Sequence, residues 1–208
     1  MTGDFVITRE HLLALGACID GVEFFDRTYQ DGRAEYQDML DKAVDGGHTD
    51  YASWLLAKIG PTEDTLEVDE INSADTDVVF AGSIRVRTRI VVGCIEAGGG
   101  IEAGDCIKAG RGIEAGWGIK ADYGIKAGRG IEAGRGIKAG YGIEAGDGIK
   151  AGRGIEAGEG IEAGRGIEAG WGFGVYAGLH VRITETDHRT IKAASKPDNI
   201  MCGVWEDA

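Results

Sequence analysis

Apolar residues recur every six positions along the middle of the chain, in the unit Ile-Glu/Lys-Ala-Gly-x-Gly. The unit runs without a gap from Ile95 to Gly172, which gives thirteen consecutive copies. In a strand, residues two apart face the same side, so we expect Ile and Ala inside and the Glu or Lys between them in solvent. Gly-x-Gly is expected to turn the corner, because glycine accepts positive φ without a Cβ clash. Such a period predicts a solenoid, in which each unit is buried by its neighbours.

The six-residue spacing continues in less regular form on both sides of these units. The additional apolar positions are Val78, Ile84 and Ile90 before the units and Phe173 and Leu179 after them. Together they give eighteen rungs. Three units per coil would make six coils, whereas two units per coil would make nine coils of a flatter solenoid. The sequence leaves both arrangements and the handedness open.

The front of the chain has the three- and four-residue apolar spacing of short helices. The expected helices are one capped by Thr8 that ends near Gly21, a short one over 22–29, one from Tyr36 that stops at Gly46, and one capped by Thr49 that ends before Gly60. Helices this short do not persist alone. We therefore expect a small bundle with an aromatic core, formed by Phe24, Phe25, Tyr29, Tyr36 and Trp54.

These patterns predict an α+β protein, with a small N-terminal helical domain followed by a glycine-rich hexapeptide-repeat β-solenoid and a C-terminal cap. The predicted parts are an acidic helical domain at 1–60, an acidic linker or cap at 61–77, the solenoid at 78–183 and the C-terminal cap at 184–208. Bare strand edges at the ends of a solenoid promote polymerisation unless they are covered. We expect the helical domain to cover one end, and the C-terminal tail or a second copy of the chain, as a homodimer, to cover the other.

The net charge of −13 belongs to the front of the chain. Residues 1–77 hold 18 acidic and 5 basic side chains, while the remaining residues hold 17 of each sign. This acidity opposes binding of nucleic acid to the front segment, since phosphates are repelled. It suits a partner with a basic surface, or it serves solubility alone.

The repeated isoleucine followed by a small or acidic residue, as in Ile131-Glu132, resembles the hexapeptide-repeat, left-handed β-helix family over residues 78–183. The resemblance implies a β-solenoid, and it brings acyl transfer into consideration because many members are acyltransferases with a histidine base. Here no histidine lies between His48 and His180, and no insertion interrupts the regular units. That family also has a small fifth residue, whereas this chain mostly has Arg, Trp, Tyr, Asp or Glu there. Such side chains must protrude at the corners.

No catalytic residue, metal site or cofactor is predicted. The four cysteines form no CxxC or Cys/His cluster, and we expect Cys94 and Cys106 to be buried thiols in place of a repeat glycine. The glycines are not followed by the strand-to-helix transition of a nucleotide-binding loop. The start of the chain lacks the features of a signal peptide, and no apolar run reaches membrane length. The expected location is the cytoplasm, that of a bacterial host if the protein is phage-encoded.

The remaining candidate surface consists of protruding side chains, because Trp, Tyr and Arg carry much of the energy of protein interfaces. In a three-unit coil, fifth positions 18 apart align as Trp117, Arg135, Arg153 and Trp171 on one corner and Asp105, Tyr123, Tyr141 and Glu159 on another. The predicted partner-binding residues are Asp64, Glu67, Asp69 and Glu70 in the acidic segment and Trp117, Tyr123, Arg135, Tyr141, Arg153 and Trp171 at the corners. The alternative is that the corners are merely solvated, with aromatic rings stacked on arginine side chains.

These features lead us to expect a non-enzymatic protein that binds and blocks another macromolecule. The segments 16–25 and 51–56 resemble helical segments of phage and prophage repeat proteins. The specific hypothesis is a phage-encoded inhibitor of a bacterial defence complex of the CRISPR type, which acts as a steric block or a nucleic-acid mimic because its acidic head occupies a basic nucleic-acid channel. Its partner would be a protein or protein–nucleic-acid complex with a basic surface, and no membrane. The alternatives are a structural or oligomerisation scaffold and, third, an acyltransferase-like enzyme.

Overall fold

A computed structural model of the chain describes residues 5–179 and 189–207. It contains a helical head, residues 5–60, followed by a solenoid of stacked parallel strands. The helices of the head are α1 Arg9–Ala14, α2 Ile19–Thr28, α3 Tyr36–Asp45 and α4 Thr49–Ile59. The head also contains an antiparallel strand pair that the sequence did not predict, β1 Val6–Thr8 and β2 Arg33–Glu35.

The boundary between the first two helices lies earlier than predicted, because α2, which was expected over 22–29, begins at Ile19. Thr8 caps α1 as expected, but the helix ends at Ala14 and Gly16 takes a positive φ of 82°. The Cys18 thiol then caps α2 by accepting a hydrogen bond from the Gly21 N–H at 3.4 Å. The predicted end near Gly21 was wrong because the left-handed glycine stops the first helix earlier.

The third and fourth helices agree with the apolar spacing, and Gly60 ends the last one at a φ of 89°. Packing within the head buries Phe25 and Tyr36 completely, while the other predicted core aromatics are partly buried. Thr49, however, is the first residue of α4 and not its cap. Its hydroxyl donates to Asp77 Oδ2 at 2.6 Å, so it ties the head to the chain that enters the solenoid.

Three parallel sheets form the sides of the solenoid, and their strands are numbered in chain order. The first sheet contains β3 Thr65–Val68, β6 Ser83–Val86, β9 Ile101–Ala103, β12 Ile119–Ala121, β15 Ile137–Ala139, β18 Ile155–Ala157, β21 Val175–Tyr176 and β23 Ile200–Cys202. The second contains β4 Ile71–Ser73, β7 Ile90–Val92, β10 Ile107–Ala109, β13 Ile125–Ala127, β16 Ile143–Ala145, β19 Ile161–Ala163, β22 Thr190–Ala193 and β24 Val204–Asp207. The third contains β5 Val78–Phe80, β8 Ile95–Ala97, β11 Ile113–Ala115, β14 Ile131–Ala133, β17 Ile149–Ala151 and β20 Ile167–Ala169.

Strands 18 residues apart pair in register, as Ile113 does with Ile131. Three six-residue units therefore complete one coil, which decides between the two arrangements that the sequence left open. Every repeat isoleucine from Ile95 to Ile167 is at most 5% exposed, and the alanines of the same units line the interior beside them. The predicted inward column is confirmed. Burial of this continuous apolar column is the main stabilising contribution to the solenoid.

The repeat glycines serve a different purpose from the one that we expected. Within the described residues, no glycine from Gly82 to Gly170 has positive φ. Glycine is instead needed for close approach: a Cβ added at Gly134 would overlap the carbonyl oxygen of Gly116 in the previous coil. The Gly134 N–H donates to Ala115 O at 3.0 Å, so the coils lie too close at this corner for a side chain directed between them.

The sheets extend beyond 78–183 in both directions. Strands β3 and β4 lie within the acidic segment 61–77 and pair with β6 and β7, while β22, β23 and β24 continue two of the sheets at the other end. The expected rungs at Phe173 and Leu179 were wrong, because both side chains are almost half exposed. The chain takes two extra residues there, and Val175 instead pairs with Ile155.

The head covers the first edge of the third sheet, as expected. The Gln37 side chain of α3 accepts a hydrogen bond from the Ala81 N–H at 2.9 Å and donates to Val79 O at 3.0 Å. It therefore pairs with the outer edge of β5 much as another strand would. Val79 is buried in the core of the head, which joins the two parts through apolar contact as well.

Candidate binding site on the solenoid

The large side chains at the fifth position of the repeat point outward, as the sequence predicted. Trp117, Tyr123 and Tyr141 are 47%, 53% and 49% exposed. Each lies just after a strand whose isoleucine and alanine face the core, so the side chain at the corner extends into solvent. Large aromatic surface exposed in this way is a feature of binding sites.

Two corner columns border the same sheet, which we did not anticipate from the sequence. Trp117 lies between β11 and β12, with Arg135 and Arg153 one and two coils further along that corner. Tyr123 and Tyr141 follow β12 and β15, on the opposite border of the first sheet. Five of the six predicted corner residues therefore flank one surface, which we call the aromatic face.

Neighbouring members of each column contact one another. The Arg135 guanidinium carbon lies 5.1 Å from the centre of the Trp117 ring, a cation–π arrangement. The rings of Tyr123 and Tyr141 stack with centroids 5.2 Å apart and planes within 1° of parallel. The stacking that the sequence analysis gave as the alternative is thus present. It also orders these side chains before any partner binds, which lowers the entropy cost of binding.

Between the two columns the aromatic face carries a row of charged residues. Lys120 Nζ lies 2.6 Å from Glu102, and Lys138 Nζ lies 3.1 Å from Glu156. The hydrogen bond from Lys120 lowers the pKa of Glu102 and raises that of Lys120. A groove of about 700 Å³ follows this row and reaches Trp117, Arg135 and Arg153.

The basic residues of the aromatic face differ in how they are paired. Arg135 and Arg153 form no ion pair within the part of the chain that the structure describes, whereas the two lysines of the row are paired. The sequence predicted Lys120 and Lys138 as outward charges at the second position of the unit, but it did not include them among the binding residues. Their place between the two corner columns follows from the three-unit coil.

Trp171 does not continue the column of Trp117. Its side chain is 99% exposed, and the backbone register slips by one residue, since the Gly170 N–H donates to Arg153 O at 3.1 Å. Gly172 then turns the chain with a φ of 82°. Trp171 lies one coil beyond Arg153, at the C-terminal end of the solenoid.

Three members of the predicted acidic binding set are already paired within the chain. Glu67 lies 2.8 Å from Arg85, Asp69 lies 2.7 Å from Arg87, and Glu70 lies 2.6 Å from Arg89. Strand pairing in the first two coils brings these oppositely charged side chains together. For Asp64, the remaining member, no ion pair is found among the described residues. The acidic segment therefore has a weaker negative field than its sequence indicated.

The described residues hold no group of three or more His, Cys, Asp or Glu side chains that could bind a metal ion. His11 stacks on Phe5 and His48 on Tyr51, with ring centroids 5.7 and 4.6 Å apart. His180 lies outside the described residues. Cys94 and Cys106 are half-buried, and burial raises the pKa of the Cys94 thiol. Raised pKa disfavours the thiolate that a nucleophile needs.

No protein-family model, curated protein or solved structure matches this chain. Among residues 5–179 and 189–207, none of the helices has the length and apolar character required to cross a bilayer.

Proposed function

We propose that this protein is a non-enzymatic binding protein whose aromatic face occupies a surface of another macromolecule. The observation that carries the proposal is the convergence of Trp117, Arg135 and Arg153 with Tyr123 and Tyr141 on the two borders of one rigid sheet. Tryptophan, tyrosine and arginine are the side chains enriched among interface residues with large energetic effects. Prior stacking holds them in place, as an interface requires.

Steric occupation is the mode of action that the charges support best. Pairing of Glu67, Asp69 and Glu70 with arginines leaves the acidic segment less able to mimic a row of phosphates. Inhibition of a CRISPR-type defence complex by a phage-encoded protein is a specific form of this proposal, which its sequence resemblance motivates. In that form the head, with its excess of acidic residues, would lie against a basic part of the partner.

The aromatic face can be tested with a matched pair of substitutions. Arg129 and Arg135 occupy the same position in adjacent units, but Arg129 lies on the corner between the second and third sheets. In capture experiments from bacterial lysate, followed by affinity measurement, we expect Arg135→Ala combined with Trp117→Ala to weaken partner binding by about tenfold or more. Arg129→Ala should leave binding unchanged. Equal effects of the two sets would contradict the proposal.

A second comparison separates the modes of action. Charge reversal at Asp64, Glu67, Asp69 and Glu70 should have little effect on capture if the aromatic face is the main contact. Loss of capture by that variant, with full capture by the Trp117 and Arg135 variant, would establish the nucleic-acid-mimic mode instead. Self-assembly in light scattering, with no stoichiometric partner captured, would favour the scaffold function.

A further inference from the structure

The helical head contains a cavity that its own side chains do not fill. The cavity has a volume of about 280 Å³, and residues of α1, α2, α3 and α4 line it. Protein cores pack with few voids larger than a water molecule, and an apolar cavity of about 150 Å³ already holds a benzene molecule. The cavity of the head is therefore large enough for an aromatic or branched aliphatic side chain.

The floor of this cavity is apolar, and its mouth opens to solvent. Leu12, Met39 and Leu55 line it and are at most 4% exposed, so the cavity reaches the core of the head. Cys18 and Asp50 also line it but are exposed, which places them at the mouth. An apolar floor below a few polar groups is the usual arrangement of a site that binds an apolar ligand group.

The connection between α1 and α2 explains why the cavity exists. Gly16 turns the chain with a φ of 82°, and two further small residues, Ala17 and Cys18, follow it along the cavity wall. A Cβ added at Gly16 would meet no atom within 4 Å, and one at Gly21 would meet only the Cys18 sulfur, at 3.4 Å. The wall therefore carries no side chain long enough to fill the space.

The mouth of the cavity has a negative charge. No ion pair is found for Asp50 or Asp20 among the described residues. Burial and, after it, the negative charges on Cys18, Asp20 and Asp50 raise the pKa of Tyr51, which lines the cavity, and Arg27 offsets them in part. Both carboxylates thus act on the same entrance, where a cation is favoured.

The charge of the head disfavours a second copy of this chain as the occupant. Residues 5–60 hold ten acidic and five basic side chains. Ile19 of a second copy is 76% exposed and is apolar enough to enter, but Asp20 is its neighbour in the chain. Its entry would bring that carboxylate towards Asp50, and like charges repel.

We propose that this cavity binds an aromatic or leucine side chain of a partner protein, with basic residues on either side of it in the partner's sequence. The apolar side chain would contact Leu12, Met39 and Leu55, and the basic residues would lie beside Asp50. This site is on the head and does not require the aromatic face, so it goes beyond the function proposed above.

The test uses the blocked peptide Lys-Lys-Phe-Lys-Lys and the isotopically labelled full chain. Trp54 lines the cavity and is the one tryptophan of residues 1–60, so the peptide should produce a saturable NMR shift of its indole N–H. A peptide with alanine in place of phenylalanine should bind at least about tenfold more weakly, because it loses the burial of the ring. A peptide with glutamate in place of every lysine should bind at least about threefold more weakly.

Two matched pairs of variants locate the site. Ala17→Leu should fill the cavity and abolish binding, whereas Ala57→Leu, the same change at an exposed position of α4, should not. Asp50→Lys should reverse the preference for the lysine peptide, whereas Glu63→Lys, at an exposed carboxylate outside the head, should not. Circular dichroism checks that each variant folds, and the Asp50 pair remains decisive if Ala17→Leu does not.

The Trp117 and Arg135 variant should retain peptide binding, so failure of the aromatic face and failure of this site are distinguishable. Absence of a saturable Trp54 shift, equal binding of the alanine peptide, or full binding by folded Ala17→Leu would overturn the proposal. An unchanged preference in Asp50→Lys would overturn the requirement for basic neighbours. A dimer that Ala17→Leu dissociates would overturn the choice of occupant.

Discussion

Two glycines of each repeat unit face different neighbours. At the fourth position an added Cβ usually meets a carbonyl oxygen of the previous coil, as Gly134 meets Gly116. At the sixth position the nearest atom is further away, at 3.2 Å for Gly136. Among the thirteen regular units, one sixth position is Cys106 and one fourth position is Asp122. The hydrogen bond from the Asp122 N–H to Ala103 O is 3.2 Å long, against 3.0 Å at Gly134.

We therefore expect Gly134→Ala to lower the free energy of unfolding by roughly 1–3 kcal/mol, the usual cost of overpacking. Gly136→Ala should change it by less than about 1 kcal/mol. Alanine restricts the unfolded chain, and this stabilising contribution offsets the cost of the small shift of the neighbouring carbonyl. Thermal unfolding followed by circular dichroism measures both. Equal melting temperatures for the two variants would show that close approach is not the reason for the fourth glycine.

At the scale of elements, the end strands of a sheet differ from its middle strands in how their backbone groups are hydrogen-bonded. In the middle of the solenoid every strand has a partner on both sides, so register and burial support each other. At β5 the partner is the side chain of Gln37, and at β20 no partner strand is found among the described residues. The two ends of the third sheet thus differ in how their backbone groups are satisfied.

Gln37→Ala should remove both hydrogen bonds to the edge of β5 and leave the Ala81 N–H and the Val79 carbonyl without them. The expected loss of stability is about 1–3 kcal/mol. Amide hydrogen exchange should become faster at Ala81, where the native hydrogen bond is 2.9 Å long. Gln30→Ala, an exposed glutamine on the same domain, is the matched control. Unchanged exchange at Ala81 would mean that the head does not protect this edge.

At the scale of the whole molecule, Asp77 connects the head to the solenoid. It accepts a hydrogen bond from Thr49 of the head at 2.6 Å and forms an ion pair with Arg111 of the solenoid. Burial by itself raises the pKa of Asp77, but the hydrogen bonds from Arg111 and Thr49 outweigh it and hold the pKa below its ordinary value. A carboxyl with a lowered folded-state pKa stabilises the fold above its unfolded-state pKa, and this contribution is lost as the pH falls through the folded-state value.

Asp77→Asn should accordingly lower the stability at pH 7 by roughly 1–3 kcal/mol, the range for hydrogen bonds to charged groups. The difference from the unsubstituted protein should shrink as the pH falls below 4 and both forms carry a neutral side chain. Denaturant unfolding at a series of pH values measures this, with Asp75→Asn, an exposed neighbour, as the control. A difference that stays constant with pH would exclude the ionised Asp77 as its cause.

The sequence predicted part of the candidate binding surface. The six-residue period identified Trp117, Tyr123, Arg135, Tyr141 and Arg153 as outward residues, because a packed interior cannot hold them. It did not show that they border one sheet, since that depends on the three-unit coil and on the order of the sheets around it. Trp171 was assigned to the same column, but the register slip after β20 lies outside the repeat pattern.

What the sequence determined by itself was the alternation of buried and exposed positions, because a strand buries every second residue whatever lies beside it. It also determined where the last two helices end, at Gly46 and Gly60, where the spacing of apolar residues stops. Only the tertiary structure decided the number of units per coil, the pairing of Glu67, Asp69 and Glu70 with arginines, and the unequal ends of the third sheet. Each of these features brings together residues that lie 18 or more positions apart in the sequence. The interaction energy of such residues depends on the distance between them, which a local sequence pattern does not determine.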